Sequence, residues 1–400
     1  MSRLRIGLVA PYVNRKAFGV GVSVGALCDE LSKAGHDVTL ITGDDPRSSG
    51  IPQSRQNGDG KLSVRLFPMR YPWNRRLHRA PGMRRWLRSF VREFDLVDIQ
   101  GIWSVMAAET GAVCSSEGVP YVITPRGMMG GWDWAKKPLK KRLFFGVMMR
   151  KVWRSAAAVR FVSRGEANAS MIDANGRGVV IPNFVPPPPA IDRRQEAERL
   201  RSKMGISPDA AVVLFLGRVD PQKGVVELVE AFGSVCERKT DAVLLVVGPL
   251  EGAYGTAVKE RAASLPWARN VRLAGPLFGD DKHAAYAAAT LFVTLSKNEG
   301  LPVAALEALS HGLPTLLAED SNLPEVRDYD AGLLTDSRGD GVAPAMLGLL
   351  ADRERLRVMS ANARRLFEER FTSDAVIPRV VSLYESVAGS ARPAPRASIP

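Results

Sequence analysis

Four side chains in the C-terminal half have the types and spacing to handle a phosphorylated sugar. Gly217-Arg218-Val219-Asp220-Pro221-Gln222-Lys223-Gly224 supplies two cations; Asn298-Glu299-Gly300-Leu301-Pro302 and Glu307, eight positions after Glu299, supply two carboxylates. A guanidinium can grip a departing diphosphate with two hydrogen bonds while an ammonium acts as a point charge. Carboxylates accept hydrogen bonds from sugar hydroxyls. Taken singly, Arg218 and Lys223 are equally two ordinary charges on a surface loop, and Glu299 and Glu307 a helix cap and a solvated carboxylate.

Placement raises their value. Residues 291–295 form a short apolar strand, 296–301 a loop, and Pro302 suits the first position of a helix carrying Glu307. Glu299 then stands at the carboxyl end of a parallel strand, where open α/β sheets take ligands, and the free N–H groups after Gly300 face an anion. Gly217-Arg218 closes a second apolar strand, and Lys223-Gly224 opens the following helix. The runs 211–216, 242–247, 271–274, 291–295 and 315–318 all read as buried parallel strands, each followed by helix-like sequence. The N-terminal half shows the same alternation. A strand at 5–10 leads into the glycine-bearing loop Phe18-Gly19-Val20-Gly21, a helix to Lys33 and a strand at 37–42, and further strands follow at 96–100, 121–124, 158–162 and 179–182. The expectation is an α/β chain of two Rossmann-like, doubly wound parallel-sheet domains facing each other across a cleft. Four prolines at 186–189 mark the boundary. We expect an N-terminal domain over 1–185, rejoined by a C-terminal helix at about 374–390, a C-terminal domain over 190–373, and a frayed tail at 391–400.

Composition fits this size and class. With 400 residues, 46% apolar and 24% charged, the chain suits two ordinary cores, and no apolar run approaches the ~18 residues of a membrane span. The N-terminus turns straight into a strand, which predicts a cytoplasmic protein. Cys28, Cys114 and Cys236 are scattered, without C-x-x-C, and read as buried hydrophobes rather than as a disulfide framework or a zinc site. Charge is uneven: residues 1–185 carry 29 Lys and Arg against 14 Asp and Glu, whereas 186–400 carry 26 against 28. Residues 60–92 and 134–165 contain no acid at all, and such stretches attract nucleic acid, anionic lipid or phosphorylated substrates.

Together these segments resemble the retaining family-4 glycosyltransferases of GT-B fold. The resemblance rests on Gly19 and Gly21, on Val180-Ile181-Pro182-Asn183, on Gly217-Arg218 with Lys223-Gly224, and on Asn298 to Pro302 with Glu307, Ala308 and Gly312-Leu313-Pro314. Gly101-Ile102-Trp103, Thr124-Pro125-Arg126-Gly127-Met128-Met129 and Asn322-Leu323-Pro324-Glu325 look like the exopolysaccharide and O-antigen branch. The resemblance implies a hexosyltransferase that uses a nucleotide-diphosphate sugar and needs no metal or other cofactor. Arg218, Lys223 and Glu299 would be catalytic, the cations on the donor diphosphate and Glu299 on the sugar. Gly19, Gly21, Gly217, Asn298, Gly300, Leu301 and Glu307 would bind the donor, Glu307 through the ribose hydroxyls. Asp328-Tyr329-Asp330 matches the D-x-D of metal-dependent transferases but lies away from any donor-phosphate strand end and reads as a turn.

The N-terminal half departs from the family. Many relatives have histidines where this chain has Gln100 and Arg126, and the four histidines present, His36, His78, His283 and His311, do not fill the gap. Acceptor and membrane contacts are expected from Arg84, Arg85, Arg88, Arg126, Lys140 and Lys141. At 83–92 an apolar arc of Met83, Trp86, Leu87, Phe90 and Val91 opposes the arginines. Between 138 and 155 the apolar residues point all round, which predicts a buried middle with basic ends on an anionic membrane. The expected partners are thus a nucleotide-sugar donor, a glycan or polyprenyl-diphosphate-linked acceptor and the inner face of the cell membrane, in surface polysaccharide synthesis. A nucleotide-sugar epimerase of the same architecture lacks its acid/base set here. Against a nucleic-acid binder, no recognised module is present and the aromatic residues do not line the basic runs as a stacking platform would.

Overall fold

The computed structural model describes residues 3–11, 13, 20–44, 54–57, 59–69, 79–190, 192–238, 241–336 and 340–391. The chain divides into two compact units, Met1–Asn183 with Ser373–Pro400, and Phe184–Thr372.

The first unit is built on β1 (Arg5–Ala10), β2 (Asp37–Asp44), β3 (Arg55–Asn57), β4 (Gly60–Pro68), β5 (Leu96–Gln100), β6 (Tyr121–Thr124), β7 (Ala158–Phe161) and β8 (Gly178–Val180). Their order is β3-β4-β2-β1-β5-β6-β7-β8, with every neighbouring pair parallel except β3 and β4. The central strands are Val, Ile and Leu runs because helices cover both faces, and β5 is buried along its whole length. The β3–β4 hairpin is absent from the sequence expectations. Only Gly60 and Leu62 of β4 are buried, so this edge carries charge where the other strands carry an apolar run. The helix Ser373–Ala391 belongs to this unit, where the Tyr384 hydroxyl donates to Asp98 in β5 and Arg379 Nη2 donates to the Val180 carbonyl at 2.8 Å.

Two sequence expectations need correction here. The helix Val20–Lys33 already contains Gly21, which is therefore buried in a first turn and not in a loop; Gly19 and His78 lie outside the described residues. The segment 138–155 is a helix interrupted by a π turn at Phe145–Met149. A π turn shifts the residues after it around the axis, so no single face can bury the whole apolar set. Phe145, Met149, Val152 and Trp153 are buried, while Leu139, Leu143 and Val147 are 79%, 69% and 75% exposed. The expected burial of this middle thus holds for one side only.

The second unit has β9 (Val212–Leu216), β10 (Val243–Val247), β11 (Val271–Gly275), β12 (Leu291–Thr294), β13 (Thr315–Ala318) and β14 (Gly332–Thr335), all parallel, in the order β11-β10-β9-β12-β13-β14. Chain order reverses direction between β9 and β12, so this is the topological switch point at whose carboxyl edge open sheets form a crevice. Phe215, Phe232 and Phe292 are among its fully buried side chains.

Candidate functional site

The loops after β9 and β12 meet at that switch point. Gly217 leaves β9 buried, its N–H donating to the Val247 carbonyl at 3.0 Å. Its own carbonyl lies so close to Gly248 that a Cβ there would overlap it. Asp220 organises the turn: its carboxylate accepts from the Gln222 N–H at 3.0 Å, its carbonyl accepts from the Lys223 N–H at 2.9 Å, and Arg218 pairs with it at 2.6 Å. Gly224 is left-handed at φ 66°, with Leu295 atoms 2.8 Å from any Cβ it might carry, and this close approach starts the helix Val225–Arg238 directly behind Lys223.

From β12, the chain passes through left-handed Asn298 (φ 57°), whose carbonyl accepts from Gln222 Nε2 at 2.9 Å. Asn322 donates to the Glu299 carbonyl, and the Glu299 N–H donates to Asp320 at 3.2 Å. So held, the Glu299 carboxylate forms an ion pair with Lys223, the two side chains being 14% and 17% exposed. Burial acts to raise the Glu299 carboxyl, but the Lys223 charge and hydrogen bond, Ser296 and the Arg218 charge outweigh it and hold it below the ordinary glutamate value. Gly300 and Leu301 are buried, and Pro302 is the cap of the helix Val303–Ser310 rather than its first residue. Glu307 has a separate set of partners: Lys282 at 2.7 Å, and the Tyr286 hydroxyl at 2.9 Å.

The first unit has a buried polar group at its own carboxyl edge. Arg126, left-handed at φ 56°, is only 8% exposed. It donates to Gln100, to Ser23 at 2.8 Å and to Asn183 at 3.1 Å, and its Nη2 has no partner among the described residues. Burial first, then the nearby Arg160 charge, brings the Arg126 guanidinium down to about 10, against the pull of Asp98 and Glu166. Among the described residues no group of three or more His, Cys, Asp or Glu side chains could hold a metal ion, and no helix is long and apolar enough to cross a membrane.

Both halves match glycosyltransferase family models. "Glycosyl transferase 4-like domain" covers residues 18–183 and "Glycosyl transferases group 1" covers 196–366. The chain belongs to the family-4 glycosyltransferases. The D-inositol 3-phosphate glycosyltransferase of Salinispora arenicola is 30% identical to this family-4 chain over 236 residues, 57% of this chain and 52% of the relative. The chain spans about half the length of the curated relatives it matches first. Two solved structures share the GT-B fold along nearly its whole length. Sucrose-phosphate synthase from Thermosynechococcus elongatus has TM-score 0.72 and 19% identity, covering 97% of this chain and 100% of that one. Anabaena HepE in complex with UDP and glucose has TM-score 0.70 and 17% identity, covering 96% and 100%.

In this family-4 chain the two switch-point loops bring Lys223, Glu299 and the backbone of Asn298 together, with Arg218 beside them. Sequence reasoning missed Lys282 and Tyr286, which lie on the helix Gly279–Ala288 and meet Glu307 only through folding; their spacing of four shows that they share a helix face, but not what that face meets. His283 and His311, without partners in the sequence reading, lie 3.0 Å apart, Nδ1 to Nε2. Of the residues expected to contact the acceptor or the membrane, Arg126 and Lys141 are not free surface cations. Arg126 is buried, and Lys141 pairs with Asp133 at 2.6 Å over the Trp103 ring. Arg84, Arg85, Arg88 and Lys140 are exposed.

Proposed function

We propose that the chain transfers a hexose from a nucleotide-diphosphate sugar to a glycan or lipid-linked glycan acceptor, with retention at the sugar carbon and without a metal. The Lys223–Glu299 ion pair at the β9/β12 switch point carries this reading. In the transfer the bond between the anomeric carbon and the diphosphate oxygen breaks, and a bond to the acceptor oxygen forms as the acceptor hydroxyl gives up its proton to an oxygen of the departing diphosphate. Negative charge gathers on the leaving diphosphate, and cations preorganised near it lower the barrier most. Arg218 is exposed and within reach of solvent-borne phosphate, while Lys223 is already fixed by its carboxylate partner. Glu299, kept ionised by Lys223, accepts hydrogen bonds from the sugar hydroxyls. Glu307, oriented by Lys282 and Tyr286, takes the ribose.

The relatives named above support the donor class: Anabaena HepE has been solved in complex with UDP and glucose, and the Salinispora arenicola relative is a D-inositol 3-phosphate glycosyltransferase. For the acceptor side, the exposed row Leu139, Leu143 and Val147, four residues apart and set among exposed Lys136, Lys137, Lys140, Arg142, Arg150 and Lys151, favours docking on an anionic membrane surface. Calorimetric titration with a UDP-, GDP- and ADP-sugar panel tests the donor reading. One sugar nucleotide is expected to bind saturably, with at least tenfold loss in Glu307→Ala; no binding by any of the three overturns it.

A further inference from the structure

The second unit contains a cavity of about 360 Å³ away from the loops after β9 and β12, sharing with the proposed donor site the side chain of Tyr286, whose hydroxyl holds Glu307. Thr290, just before β12, and Pro314, just before β13, line it, so it lies at the amino ends of the strands, whereas Lys223 and Glu299 follow carboxyl ends. Its walls carry four arginines, Arg193, Arg353, Arg357 and Arg364. Among the described residues Arg357 is paired with Glu354 at 2.7 Å, and the other three have no carboxylate partner. Arg193 donates to the His311 carbonyl. Burial, and then the Arg364 charge, hold the Arg193 guanidinium below its ordinary value, as expected where cations crowd without compensation. His311 also lines the cavity. It is 2% exposed, its Nε2 is engaged by His283, and its Nδ1 has no hydrogen-bond partner. When His283 Nδ1–H donates to His311 Nε2, the remaining proton of a neutral His311 is on Nδ1, available as a donor.

We propose that this cavity binds a small phosphomonoester or inorganic phosphate. Guanidinium forks match phosphate oxygens in pairs, and a dianion offsets more of the unpaired charge of Arg193, Arg353 and Arg364 than a carboxylate does. The volume falls in the range of small-ligand pockets, leaving room for a sugar-sized body beyond the phosphate. The inference stands apart from the donor reading, because it uses other residues at the other end of the same strands.

The test is calorimetric titration of the full chain with inorganic phosphate and with glucose 6-phosphate, against sodium chloride of matched ionic strength. Wild type and Arg218→Ala are both expected to show one saturable anion site, weakened at least tenfold in Arg353→Ala/Arg364→Ala. Tighter binding of the ester identifies an esterified ligand, and tighter binding of the ion identifies free phosphate. Circular dichroism checks the fold of each variant, and Arg353→Gln, a single change at an exposed position, replaces the double variant if that one unfolds. If neither anion binds beyond the chloride control, the proposal is wrong. It is equally wrong if binding disappears in Arg218→Ala and survives in Arg353→Ala/Arg364→Ala, since the phosphate then sits at the donor loops.

Discussion

Lys223 and Glu299 stand 76 positions apart in the chain and neutralise each other in the fold. Because both are largely buried, removing one strands the other. Lys223→Ala is expected to cost about 3 kcal/mol of unfolding free energy, and the double change Lys223→Ala/Glu299→Gln less than the sum of the two single changes, as measured by urea denaturation. The pH dependence has a definite sign. Glu299 has a folded value below its unfolded one, so its contribution is complete above the ordinary glutamate range and disappears as pH falls through the depressed folded value. In Glu299→Gln that part of the acid-side loss of stability is expected to vanish. Of this site the sequence showed the residue types, and the strand-end placement of Arg218, Lys223 and Glu299 followed from apolar runs. It did not show that the carboxylate and the ammonium bind each other, nor that Lys282 and Tyr286 hold Glu307, because those contacts join loops and helices whose mutual distance no local pattern encodes.

At the level of elements, the π turn at Phe145–Met149 is what turns an apolar segment into one buried side and one exposed row. Replacing Leu139, Leu143 and Val147 together by Ser removes exposed side chains and is expected to leave the melting temperature within a few degrees of wild type, while binding to vesicles containing anionic lipid falls at least tenfold. Reversing Arg84, Arg85 and Arg88 to Glu is expected to weaken the same binding and to reduce its salt dependence. Unchanged sedimentation with vesicles in both variants rules out the membrane face. Helical periodicity at 83–92 correctly separated exposed arginines from buried Met83 and Leu87, but it put Phe90 on the packed arc, where the structure leaves it 40% exposed and stacked on Trp86 at 5.1 Å.

At the scale of the whole molecule, the last helix ties the two ends of the sequence into one unit. Tyr384 donates to Asp98, a carboxyl that burial raises above the aspartate range against the lowering by Arg160, Tyr384 and Thr124. Tyr384→Phe takes one hydrogen bond from a fully buried carboxyl and is expected to lower the unfolding free energy by about 2 kcal/mol, read from denaturant midpoints.

The sequence by itself determined the α/β class, the positions of most strands and the residue types of the loops after β9 and β12, because apolar runs, glycines and prolines act through the local backbone and its burial. Tertiary structure alone decided which strands became neighbours at the switch point. It also decided that Gln100 and Arg126 are hydrogen-bonded to each other inside the first unit, and that four arginines scattered between 193 and 364 line one cavity. The physical reason is common to all three: strand order and helix docking are set by the summed packing of the core, and a residue's partners far along the chain follow from that sum and not from its neighbours in sequence.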